Sequence, residues 1–221
     1  MKIGFLGTGH ITSSVIEGIF KSKLKIKKIY ISPRNRLISN KLRKKFKKVS
    51  VSKNNQQLVD MVNWVFLAVT PKVGNKILKN LNFKSKHKIV SFISTINLEK
   101  LKKYTNNKKV TRVIPMPFIG IKKGPIIICP KDKKVKKFFD KLGTTIEIKN
   151  EKISKNFWTT SSFMAPFYQI MATTSDWLVR KGVKRKAAEK YSREFFLALS
   201  QDSIFKNKLS LKQLVSESQT P

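Results

Sequence analysis

The chain has 221 residues and 40% hydrophobic side chains, enough to build a folded core and too many for a disordered polymer. It carries 48 Lys and Arg against 12 Asp and Glu, a formal charge of +36. A single cysteine excludes an intrachain disulfide framework, and no run approaches the roughly 20 apolar residues of a membrane span, so a cytoplasmic protein without a membrane partner is expected.

The elements alternate from the first residues onward. "KIGFL" (2–6) is an apolar run ending at Gly7, with no signal-peptide pattern ahead of it. The spacing of Ile11, Val15, Ile16 and Ile19 predicts a helix from His10 to Lys21. "KIYIS" (28–32) is a strand stopped by Pro33, 35–47 a basic helix, and "VSVS" (49–52) a short strand. After the helix "NQQLVDMV" comes "WVFLAV" (64–69), apolar throughout as a central parallel strand is. A helix over 72–81, the strand "KIVSFIS" (88–94) and a helix over 97–104 follow. Strands at 109–115 and 124–130, a helix over 132–142 and the strand "TTIEIK" (144–149) complete this part. "IIIC" makes Cys129 a buried strand residue.

This β-α-β rhythm predicts an α/β fold, a Rossmann-type doubly wound parallel sheet over residues 1–150. Beyond Asn150 only helical patterns remain, so 151–221 is expected to be an all-helical C-terminal domain, with Pro166 breaking or kinking its first helix.

Four stretches carry chemistry. In "GTGHIT", Gly7 and Gly9 lie between a strand and a helix, the context of a dinucleotide fingerprint. Thr12 fills the third position, where a small residue normally packs the helix against the strand. His10 lies in this loop, whereas a structural or solvated role suits His87 better. At the end of the second strand an NAD site usually has an acid for the ribose hydroxyl. Here "ISPRNR" offers Ser32, Arg34 and Arg36, a hydroxyl and two guanidiniums suited to a 2′-phosphate, which favours NADP(H) over NAD(H). "LAVTPK" (67–72) and "SFIST" (91–95) end neighbouring strands and suit the nicotinamide side. No side chain stands out as a catalytic acid or base, and no metal-ligand spacing exists. That pattern suits hydride transfer, in which the cofactor supplies the chemistry. The lysine excess is spread along the chain without an arginine-and-aromatic patch, so nucleic acid is not the expected partner.

Taken in order, "GTGHIT", "LAVTPK", "VSFIST", "TRVIPMP", "FFDKLGTTIEI" and "APFY" resemble the corresponding segments of pyrroline-5-carboxylate reductases, and "LVSESQTP" is similar to the lead-in to that family's "TPGG" turn. The resemblance covers essentially the whole chain. It implies an NADPH-dependent reductase that converts 1-pyrroline-5-carboxylate to L-proline and dimerises, or assembles further, through the helical domain. It implies a cofactor site at Gly7, Gly9, His10, Ile11, Ser32, Arg34, Ala68, Thr70, Pro71 and Ser94, and substrate contacts near Met164, Ala165 and Pro166. Phe163, Met164 and Ala165 replace the family's small residues, and Met116 and Pro117 its Asn and Thr. The helical part is expected to be a shortened form of the family's, lacking its substrate loop. A related reductase of another imine or carbonyl compound, or a catalytically degenerate dinucleotide-binding paralogue, are the alternatives.

Overall fold

The computed structural model describes residues 1–219. Thr220 and Pro221, the end of the helical part and of "LVSESQTP", lie outside the described residues. Eight strands among them form one sheet: β1 (Lys2–Leu6), β2 (Lys28–Ile31), β3 (Val49–Val51), β4 (Trp64–Leu67), β5 (Lys88–Ser91), β6 (Val110–Ile114), β7 (Pro125–Cys129) and β8 (Thr144–Glu147). Their order is β3-β2-β1-β4-β5-β6-β7-β8, the doubly wound order extended by two strands.

The expected all-parallel sheet needs one correction. β7 runs antiparallel to β6, with Arg112 opposite Cys129, while β8 is again parallel to β7. A parallel return needs a crossover of about a dozen residues or more, usually helical. The β6–β7 link holds only a 3-10 turn, Pro117–Ile121, so the chain doubles back.

Helices cover both faces, which explains why β4 is apolar at every position and its neighbours largely so. α1 (His10–Lys21), α2 (Arg36–Lys45) and α6 (Lys133–Phe139) pack on the face holding Phe5 and Phe66. The Phe5 and Phe66 rings stack at 4.6 Å, and Phe138 and Phe139 close over Phe66. α3 (Asn55–Asp60) and α5 (Leu98–Thr105) cover the other face, built from Leu6, Val65, Leu67 and Ile89. α4 (Pro71–Ile77) begins where β4 ends, with its proline in the first helical turn, where no backbone donor is lost. Cys129 is buried, as its apolar neighbours predict, and burial pushes its thiol pKa up.

The chain divides into two compact units between Thr159 and Thr160. The expected boundary lay near residue 150. α7 (Glu151–Thr159) stays with the first unit because Glu151 bonds to Arg112 on β6 and to the Leu98 N–H of α5. The second unit starts with a 3-10 turn, Thr160–Phe163, followed by α8 (Met164–Arg180), α9 (Arg185–Phe205) and α10 (Leu211–Glu217). Pro166 therefore does not kink a helix. It sits in the first turn of α8, where proline is tolerated, and the break lies upstream. Among the described residues no helix is long and apolar enough to cross a membrane.

Candidate dinucleotide site

β1 lies between β2 and β4, so the connections leaving β1 and β4 diverge to opposite sides of the sheet. Ligands of doubly wound sheets bind outside the carboxyl ends of strands at such a point. A cleft of about 510 Å³ opens there. It unites residues from three loops: Gly7, Thr8 and Gly9; Ser32, Arg34, Asn35 and Arg36; and Ala68, Val69 and Thr70. Asn55, Val73 and Ile77 complete the lining, which contains no carboxylate.

The first loop is held at Gly7. Its φ is +109°, and a Cβ would lie 2.2 Å from the Ala68 carbonyl oxygen, so the close approach of the first and third loops requires glycine. The Gly7 N–H donates to Ser32 Oγ at 2.8 Å, and Thr12 Oγ1 donates to the Gly7 carbonyl at 2.8 Å. Thr12 thus pins the turn with its hydroxyl while fully buried, instead of merely crowding the packing. Ser32, only 3% exposed, supports the loop from beneath as well as lining the cleft.

Three observations fit a pyrophosphate beside this loop. A Cβ on Gly9 would meet nothing within 4 Å, so the space at that residue is open. Gly9 caps α1 without a side-chain bond, and the first turn of α1 contains no acid, which leaves the positive helix end for an anion. Thr8 Oγ1 is buried without a partner among the described residues, a hydroxyl with bonding capacity to spare. Arg34, on the second loop, and Arg36, at the start of α2, are exposed where a phosphate on the adenine ribose would meet them.

The cleft lining takes in Gly7, Gly9, Ser32, Arg34, Ala68 and Thr70 from the expected set. His10, Ile11, Pro71 and Ser94 lie outside it. His10 is exposed on the first turn of α1, and the Ile11 side chain packs on the core. Pro71 opens α4, and Ser94 sits on the loop after β5. Met164, Ala165 and Pro166 open α8 in the second unit. His87 is buried ahead of β5, far in the fold from the loop that holds His10.

Sequence reasoning passed over one residue. Arg112 is 1% exposed, in the middle of β6. Its Nε donates to the Ile93 carbonyl at 3.2 Å, one Nη to the Ile96 carbonyl and the other to Glu151, and its guanidinium lies 5.6 Å from the Trp158 ring. Glu151 in turn accepts from the Leu98 N–H at 2.9 Å, at the start of α5. One guanidinium therefore fixes the 93–97 loop at the carboxyl edge of the sheet. An arginine inside an otherwise apolar strand was the available signal, because a charge there requires partners.

The comparisons agree with this geometry. Residues 2–98 match a family described as "NADP oxidoreductase coenzyme F420-dependent". Over 119 residues the chain is 33% identical to pyrroline-5-carboxylate reductase 3 of Danio rerio, a match over 52% of this chain. The matched stretch spans less than half of the curated relatives, 43% and 41% of their lengths. In fold, the chain is similar to pyrroline-5-carboxylate reductase of Streptococcus pyogenes, with a TM-score of 0.83 at 21% identity, over 100% of this chain and 86% of that one. It is similar also to Plasmodium falciparum pyrroline carboxylate reductase with NADP bound, with a TM-score of 0.80 at 21% identity, over 100% and 85% of the two chains. The resemblance read from the motifs is thus shown, in sequence over part of the chain and in fold over its length.

Proposed function

We propose that the protein is an NADPH-dependent reductase that transfers hydride to the C=N carbon of a cyclic imine carboxylate, 1-pyrroline-5-carboxylate giving L-proline, in the cytoplasm and as a homodimer or larger homo-oligomer. The observation that carries the reading is the carboxylate-free cleft at the carboxyl ends of β1 and β4, with a glycine cradle at one end and Arg34 and Arg36 at the other.

When bound, the nicotinamide supplies the hydride, and a proton completes the amine. The chain's own residues bind and orient. The α1 N-terminus and Thr8 would hold the pyrophosphate, while Arg34 and Arg36 would select the 2′-phosphate. The 93–97 loop, fixed by Arg112, would flank a bound nicotinamide. The resemblance implies substrate contacts near Met164, Ala165 and Pro166, at the start of α8. Phe163, 68% exposed beside that start, favours a second reading in which the substrate is another imine or carbonyl compound.

Titration with NADPH and NADH, followed by NADPH oxidation with pyrroline-5-carboxylate, tests the proposal. Tight NADPH binding with turnover supports it. NADPH binding without turnover leaves the cofactor reading standing and removes the substrate. Failure to bind either nucleotide removes both readings. For Arg34→Ala, the dissociation constant for NADPH is expected to rise about tenfold, the weight of one charge-assisted hydrogen bond, with that for NADH unchanged.

A further inference from the structure

We infer that the amino edge of the sheet is a second binding surface, one that takes the phosphodiester backbone of a single nucleic-acid strand. The inference is independent of the cofactor reading, and it revises the expectation from sequence that nucleic acid is not a partner, because the fold gathers lysines that are dispersed along the chain.

Three grooves of about 330, 410 and 550 Å³ follow one another across this edge. The first and second share Asn63 and Lys86, and the second and third share Lys109, so the three adjoin as a segmented trough. The first is lined by three lysines, the second adds four and the third adds three, which gives ten lysines against Asp60, Glu99 and Asp132. Asp132 is paired with Lys88, and Glu99 with Lys103 at 3.7 Å. The other eight lysines make no ion pair among the described residues.

The parallel topology produces this gathering. Lys2 begins β1, Lys88 begins β5, and Lys109 directly precedes β6, so residues distant in sequence start their strands at one edge. Such a row repels itself unless anions lie along it.

The chemistry of the lining selects the partner. Lysine is a flexible point charge without the planar fork that reads base edges, so it suits backbone phosphates. The one aromatic residue in the trough, Trp64, packs on Phe138 at 5.4 Å and offers no stacking platform. Three adjoining grooves lined by lysines fit a flexible thread. A lipid surface would reward protruding cations flanked by apolar anchors. Because the cofactor cleft lies at the opposite, carboxyl edge, both ligands fit at once.

The test is fluorescence anisotropy of a labelled oligothymidylate over a salt series, with wild type and two triple variants. In single-strand binding each neutralised phosphate contributes about −0.7 to the slope of log K against log salt, so Lys86→Gln/Lys109→Gln/Lys133→Gln is expected to flatten that slope by about 2. Lys41→Gln/Arg43→Gln/Lys44→Gln removes the same charge from α2 and is expected to leave the slope unchanged. NADPH is expected to bind undisturbed alongside the strand. Equal flattening in both triples would show bulk charge alone and overturn the inference. Absence of strand binding, competition with NADPH, or preference for phosphatidylserine vesicles over the strand would overturn it as well.

Discussion

Only Thr8 separates Gly7 from Gly9, yet the two glycines answer to different constraints. Gly7 has a left-handed φ and no room for a Cβ, so Gly7→Ala strains the free protein by about 1–3 kcal/mol before any ligand arrives. Gly9 has open space where its Cβ would be, so Gly9→Ala leaves the free fold alone and intrudes only on what binds there. Calorimetry with NADPH titration separates them: Gly7→Ala lowers both melting temperature and affinity, Gly9→Ala affinity alone. An unchanged affinity in Gly9→Ala would remove the pyrophosphate from this loop. His87 is a second residue whose role is set by burial. Its Nδ1 accepts from the Lys84 N–H at 3.0 Å, its Nε2 has no partner among the described residues, and burial, then the charges of Lys84 and Lys86, hold its pKa down, with Asp60 opposing. The folded state thus keeps the imidazole neutral. Above the unfolded value of about 6.5 neither state takes a proton and stability is unaffected; below it the unfolded chain gains a proton that the folded chain refuses, and stability falls. Melting temperature is expected to fall from about pH 7.5 to about pH 5.5, less steeply in His87→Gln. Equal slopes would show that another group titrates.

Among the elements, the strands and their order of appearance were legible because the central strands β1, β4 and β5 are buried on both faces and read as largely apolar runs, while the outer ones are bounded by turn residues. What periodicity does not encode is direction. β7 is as apolar as β4, and its reversal follows from the short link that precedes it. The cradle was legible because glycine spacing is a local signal. Arg112 was not, since its three partners are supplied by a loop and a helix far along the chain. This arrangement carries its own prediction. Removing one member of a buried pair costs about 3–5 kcal/mol, so Arg112→Met is expected to be severely destabilised. Glu151 is partly exposed, and Glu151→Gln keeps an oxygen for the Leu98 N–H while losing the charge beside Arg112. That variant is expected to stay folded but to show faster amide hydrogen exchange over the 93–97 loop. Protection equal to wild type there would mean that the two carbonyl bonds of Arg112 suffice.

At the scale of the whole molecule, the two units differ in how they hide apolar surface. The first has a core on each side of its sheet. In the second, Ser175, Ala188 and Ser192 form a narrow seam of small buried residues in α8 and α9. Large side chains point away from it on several sides: Trp177, Tyr191, Leu199 and Ile204 are exposed, and Phe205 is 88% exposed. A helical hairpin with that much apolar surface is not a finished structure. The homo-oligomer proposed above would supply the cover, because a two-fold axis lets an apolar surface close on its twin. The expected interface is large and apolar, above about 2,000 Å² of total buried surface, with no folded monomer populated at micromolar concentration. Sedimentation velocity is therefore expected to give a dimer or larger species across that range. Phe195→Glu/Leu199→Glu is expected to yield monomer with lowered helicity, since the charges deny the hairpin its cover while the sheet unit keeps its own core. A wild-type chain that sediments as a stable monomer would assign these side chains to a different partner.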